Sequence, residues 1–170
     1  MQPITPHLWF DREAKEAAQF YCSVFPDSRI TSSTVLYDTP SGECDLVSFR
    51  VWGQPFMAIS AGPHFKINPS ISFMVNFDPS REANAREMLD EAWNKLAEGG
   101  TPLMPLDKYP FSERYGWIQD KYGVSWQISS PLLDDAMING TAEQKERFTK
   151  AFLQMKKFDL AELQKAYSGN

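Results

Sequence analysis

A pattern of strand, helix and three strands that occurs twice limits what this chain can fold into. Residues 4–10 alternate, with Pro6, Leu8 and Phe10 on one face and Thr5, His7 and Trp9 on the other. That is the period-two signature of a strand with one face set for a helix-covered core. Asp11 can cap the following helix, which carries Ala14, Ala17, Ala18, Tyr21 and Phe25 at helical spacing and ends at Phe25-Pro26-Asp27. Three strand candidates follow, 29–37, 45–52 and 56–61, separated by the turn signals Pro40-Ser41-Gly42 and Gly53-Gln54 and closed by Gly62-Pro63.

The order then restarts. In residues 70–77, Ile71, Phe73, Val75 and Phe77 face one way, and Ser70, Ser72, Met74 and Asn76 the other. Asp78-Pro79 marks a helix start, Ala85, Leu89, Ala92 and Leu96 form its apolar stripe, and Gly99-Gly100 stop it. Strands at 103–106, 115–119 and 124–130 complete the half, with Tyr109-Pro110-Phe111 in a loop and Asp120-Lys121-Tyr122-Gly123 as the last hairpin. Phe10-Asp11 corresponds to Phe77-Asp78 and Gly53 to Gly123, offsets of 67 and 70 residues, and an internal duplication accounts for both. The expected class is α+β, two βαβββ modules at about 3–63 and 69–131 in one domain over 1–131. A helical extension is expected over 132–170. There Thr141 and Gln144 have capping-box spacing, Phe148, Ala151, Phe152 and Met155 make one stripe, and Asp159 can cap a last short helix with Leu160, Leu163 and Tyr167. That stripe must pack on the chain's own barrel or on a second subunit.

Composition narrows the function classes. With 42% hydrophobic and 14% aromatic residues the chain can bury a sizeable core. A formal net charge of −5 without a long basic run argues against nucleic-acid and membrane-surface partners. The N-terminus lacks the basic start and apolar run of a signal peptide, and no stretch approaches the roughly 18 apolar residues of a membrane span. Cys22 and Cys44 form no CxxC and read as two reduced thiols, so a cytoplasmic location is expected. No GxGxxG, GxxxxGK, HExxH or GxSxG occurs, which leaves a dinucleotide loop, a P-loop, a zinc protease and a serine hydrolase unsupported.

Three runs carry a resemblance. They are Ile4-Thr5-Pro6-His7-Leu8-Trp9-Phe10-Asp11; Phe20-Tyr21 with Phe25-Pro26-Asp27-Ser28; and Met104 to Ser112 continuing through Arg114-Tyr115-Gly116-Trp117-Ile118 to Asp120-Lys121-Tyr122-Gly123-Val124-Ser125-Trp126-Gln127. The chain thereby resembles the vicinal-oxygen-chelate superfamily of glyoxalases, bleomycin-resistance proteins and extradiol dioxygenases, and more narrowly its PhnB-like branch, over roughly residues 3–131. The resemblance implies that each mixed sheet curls into a cup with its helix outside, and that two chains pair as a homodimer. Metal-dependent members hold a divalent cation with four residues, and those positions fall here on Thr5, approximately Ala58, Ser72 and Gln127. Alanine is no ligand and the two hydroxyls are poor ones, so the familiar set is missing; no metal and no cofactor are expected. Some relatives carry a demethylubiquinone methyltransferase label. No glycine-rich S-adenosylmethionine loop follows the first strand, so methyl transfer is not expected.

The alternation then assigns a pocket. Thr5, His7, Trp9, Ser48, Arg50 and Trp52 line the cup of the first half. Ser72, Met74, Asn76, Tyr115, Trp117, Gln119, Gln127 and Ser129 line the second, and Trp126 has core parity. Such a mixture of aromatics with a few polar groups and one cation suits a small organic ligand with an anionic or carbonyl end. Arg50 would hold a carboxylate or phosphate, or else form an ion pair across the sheet edge. Trp9, Trp52 and Trp117 would stack a planar group, or simply pack. Tyr109 and Phe111 would lie on a lid over the cup mouth, or pack on the neighbouring helix. His7, the one inward histidine, is either a hydrogen-bonded wall residue or a proton carrier or unusual metal ligand. His64 should be exposed. The expected function is small-molecule binding without the usual metal. The alternative is a lyase or isomerase of an oxygenated small molecule that uses His7.

Overall fold

The computed structural model describes residues 4–109, 112–129 and 141–154. β1 (His7–Phe10) opens the first sheet. It starts later than the alternation suggests because Pro6 has no N–H to give the ladder, although its carbonyl still accepts from Met57 N at 2.9 Å. α1 (Ala14–Val24) follows, then β2 (Arg29–Thr39), β3 (Gly42–Val51) and β4 (Gln54–Ser60). The sheet order is β1-β4-β3-β2, with β1 parallel to β4 and the other pairs antiparallel. The second half repeats this plan with β5 (Ser72–Asn76), α2 (Ala85–Ala97), β6 (Thr101–Tyr109), β7 (Ser112–Gln119) and β8 (Ser125–Ser129), in the order β5-β8-β7-β6. The α+β class and the duplicated βαβββ plan are therefore as the sequence leads one to expect.

The described residues gather into two compact units. One holds the residues up to Ser72 together with Asn94–Thr101 and Gln119–Ser125, and the other holds Phe73–Trp93, Pro102–Ile118 and the residues from Trp126 on. In the first unit α1 lies across β3 and β4. Its buried face is Ala14, Ala17, Ala18, Tyr21 and Val24. The small alanines let the helix approach the sheet, and Tyr21 stacks on Phe49 with ring centroids 6.2 Å apart. Val47, Phe49 and Val51 of β3 and Phe56 and Ala58 of β4 complete this layer, as parity requires. The β7–β8 turn closes its edge, with Tyr122 edge-on to Phe10, Phe20 and Tyr21 and its hydroxyl donating to Glu16 Oε1 at 2.6 Å. In the second unit Trp93 of α2 lies over Gly116 of β7, where a side chain would collide with the indole. Trp126 is buried there as predicted, with Phe73 5.3 Å from it.

Several local expectations need correction. Asp11 does not cap α1; the first turn is held instead by Ser60 of β4, whose Oγ accepts from Ala14 N at 3.1 Å. Asp78-Pro79 does not open α2. Asp78 Oδ1 accepts from both Ser80 N and Ser80 Oγ, a local turn that competes with the helix, and α2 begins at Ala85. Ile71 lies outside β5 and is 70% exposed rather than core. Gly99, at φ +74°, ends α2 as expected. The helix following Thr141 is present as α3 (Ala142–Gln154), with Lys145 N donating to Thr141 O. Met155 and the helix expected after Asp159 lie outside the described residues.

Candidate functional site

Strand register places the candidate residues of the first sheet. His7, Trp9, Ser48 and Arg50 all lie on the face away from α1, because their neighbours in sequence, Leu8, Phe10, Val47, Phe49 and Val51, are the buried ones. His7 pairs with Met57 and Met57 with Ser48, while Trp9 pairs with Ile59 and Ile59 with Leu46. Two cross-strand rows thus form the open face, His7-Met57-Ser48 and Trp9-Ile59-Leu46. His7 is exposed and the other five are half-buried. Met57, Ile59 and Leu46 join this face, a placement that the β3 and β4 alternation yields only once the strand register is known.

Trp9 is fixed at both ends of its ring. Its Nε1 donates to Gly62 O at 2.8 Å, and Phe65 meets it edge-on with centroids 5.0 Å apart. Phe65, 67% exposed and carried by the segment after β4, had no periodicity by which to be found. Arg50 Nη1 donates to Gly53 O at 2.6 Å, so the guanidinium braces the β3–β4 turn. Trp52 is not in a strand. Val51 pairs with Gln54, and Trp52 (φ +46°) and Gly53 (φ +76°) form the two-residue turn between them. Such a turn needs left-handed backbone at both positions, which costs a tryptophan about 1 kcal/mol. A hydrogen bond of 2.8 Å from Trp52 N to Ser28 Oγ helps hold it.

The second sheet presents a hydroxyl-rich cluster. Tyr109, expected in a loop, ends β6 and is buried; its hydroxyl donates to Pro105 O at 2.9 Å and its ring sits edge-on to Tyr115. Tyr115, 5% exposed, donates to Gln127 Oε1 at 2.7 Å. Burial first, and the neighbouring Tyr109 second, push the Tyr115 hydroxyl up to about 12. Burial and then Asp107 raise Tyr109 as well. Asn76 is exposed and Trp117 half-buried. Phe111 lies outside the described residues. The structure therefore joins Tyr109, Tyr115 and Gln127 on one sheet and sets His7 beside Trp9 on the other. Trp52 stands in its turn.

The metal that the fold family implies does not fit these residues. Ala58 is 1% exposed and pairs with Leu8 and Val47, on the α1 side of the sheet. Gln127 would bind a cation through the amide oxygen that already accepts from Tyr115. Among the described residues no group of three or more His, Cys, Asp or Glu is placed to hold a metal ion.

Comparison with known proteins agrees with the duplicated fold. A family model described as 3-demethylubiquinone-9 3-methyltransferase matches residues 2–129. The PhnB protein from Bacillus cereus is 36% identical, over 76% of this chain and 99% of its own, with a TM-score of 0.67. The fosfomycin resistance protein FosX from Mesorhizobium loti is 11% identical over 81% of this chain and 99% of its own, with a TM-score of 0.53. A glyoxalase family protein from Bacillus cereus is 10% identical over 76% and 94%, also with a TM-score of 0.53. The last two share the fold alone. No curated protein matches the chain.

Proposed function

Because the chain belongs to the family described as 3-demethylubiquinone-9 3-methyltransferase, within the glyoxalase-like fold, we propose that it binds a small organic molecule on its open sheet faces without the usual metal. The observation that carries this reading is the hydrogen bond from Tyr115 to Gln127, which uses the one oxygen suited to a metal among the four family positions. The open face of the first sheet supports it further, since its apolar Met57, Ile59 and Leu46 sit among His7, Trp9 and Ser48. Trp9, with Phe65 at its edge, supplies a flat wall for a ring. Arg50 supplies a cation, one arm of which is spent on Gly53 O. A planar ligand bearing a carboxylate or carbonyl suits this combination. Methyl transfer would need a cofactor loop, whereas β1 runs through Asp11-Arg12-Glu13 straight into α1. His7 stands as a wall residue, and His7→Ala is expected to weaken binding while leaving the fold intact.

The ligand pairs with a protein we place in the cytoplasm as a homodimer. Both cysteines are free thiols, which suits a reducing compartment. No helix among the described residues is long and apolar enough to cross a membrane. For the dimer, β5 is an edge strand, and Ile71 and Met74 on and beside it are 70% and 50% exposed. The test of the binding reading is thermal melting against a panel of aromatic carboxylates and ketones, with metal content measured in parallel. The expected result is a raised melting temperature with at least one compound and its loss in Met57→Asp. A stoichiometric divalent ion lost on changing Gln127, or no shift with any compound, would overturn it.

A further inference from the structure

The open face of the first sheet carries a second arginine. Arg29, the first residue of β2, lies directly opposite Arg50 of β3. Two residues back along β3, Ser48 lies opposite Ser32. Counting by twos from Arg29 would put Ser32 on the α1 side. The register shift between Ile30 and Ser32 passes over Thr31 and returns Ser32 to the face of Arg29. The row His7-Met57-Ser48 therefore continues into Ser32, and next to it Arg50 continues into Arg29. One end of the open face is thus two guanidiniums beside two hydroxyls, a grouping that only the bulge creates.

Like charges directly opposite on neighbouring strands destabilise a sheet. Little in the surroundings offsets this pair. Arg29 Nη1 lies 3.5 Å from Asp27 Oδ1, but the two side chains are 63% and 69% exposed, so water screens them. Arg50 is half-buried and gives Nη1 to Gly53 O at 2.6 Å, an uncharged partner. Among the described residues no carboxylate pairs with it. Gly53 N in turn donates to Asp27 O at 3.3 Å, so both guanidiniums are led to adjoining residues at one end of the sheet. Two cations with five N–H donors each thus share one exposed carboxylate and one carbonyl. Among the described residues neither Ser32 nor Ser48 has a hydrogen-bond partner for its hydroxyl. The fold gains nothing from this arrangement, whereas a bound dianion turns the repulsion into attraction.

We propose that Arg29 and Arg50 form a phosphate subsite and that the open-face ligand is a phosphate monoester. This rests on the reading of the open face as the ligand site and gives that ligand's anionic end one chemical identity. A phosphate dianion matches two guanidiniums in charge and presents oxygens to both planar forks, where a carboxylate satisfies one. Ser48 and Ser32 meet the ligand where it leaves the arginines. Met57, beside Ser48, begins the apolar surface for its organic part.

The test is thermal melting of the full chain in low-salt buffer with phenyl phosphate. Benzoate, inorganic phosphate and sodium chloride at matched ionic strength are the comparisons. Phenyl phosphate should bind about tenfold or more tightly than benzoate or inorganic phosphate. Arg29→Met, at an exposed position on the sheet edge, should abolish that preference. Without ligand this variant should melt no lower than the native chain, because the repulsion against Arg50 is gone. A lower melting temperature with the preference intact would make Arg29 a structural partner of Asp27 and overturn the proposal. Equal effects of benzoate or inorganic phosphate would overturn it too, while leaving the open-face reading in place. No shift with phenyl phosphate also overturns it, and if every aromatic compound is silent the open-face reading falls as well.

Discussion

Tyr115 and Gln127 both carry open-face parity, and parity alone cannot tell a ligand contact from a packed pair. Tyr115 is 5% exposed, and its hydroxyl sits on Gln127 Oε1. Tyr115→Phe removes that hydrogen bond and is expected to cost roughly 1 kcal/mol in chemical denaturation. The same hydroxyl makes stability depend on alkaline pH. Its folded value is raised from 10.0 to about 12, so between those values the unfolded state holds fewer protons than the folded one. The contribution is fully present below about pH 10 and is lost as pH rises towards 12. Tyr21 and Tyr122 are raised in the same direction, chiefly by burial, and add to the decline. Melting curves across this range should fall steeply for the native chain and less steeply for Tyr115→Phe.

At the scale of elements, periodicity located each helix stripe and strand face, but boundaries followed local chemistry. Ala85, Leu89, Ala92 and Leu96 are all buried on α2, yet Ser80 holds Asp78 in a turn that delays the helix. That competition is local and could have been read from Asp-Pro-Ser. The cap of α1 could not, because Ser60 lies 46 residues from Ala14 and reaches it only through the parallel pairing of β1 with β4. Ser60→Ala is expected to destabilise the chain by about 1 kcal/mol, whereas Asp11→Ala should leave stability nearly unchanged. Gly116→Ala would drive a methyl group into the Trp93 ring and should cost about 1–3 kcal/mol, measurable as a lowered denaturation midpoint. The Trp52 misplacement has a related cause. Strand alternation runs on in the sequence until a turn stops it, and nothing marks a tryptophan as the left-handed residue of a two-residue turn.

For the whole molecule, the exposed Ile71 and Met74 at the β5 edge frame the test of association. Sedimentation equilibrium should give about twice the chain mass of 19.4 kDa, and Met74→Glu should shift the protein towards a monomer. A single species at the chain mass would reject the dimer.

By itself the sequence determined the duplication, the α+β class and the buried face of nearly every element, because these depend on the spacing of apolar residues along one stretch of chain. His7 with Trp9 and Tyr115 with Gln127 could be assigned to faces on the same basis. Only the tertiary structure decided what those side chains meet. The strand order β1-β4-β3-β2 sets Met57 and Ile59 beside His7 and Trp9, brings Ser60 under α1, and opens a cavity between Asp11 and Asp45 on the other side. The physical reason is that periodicity records which way a side chain points, while its partners are set by pairings between segments far apart in the chain.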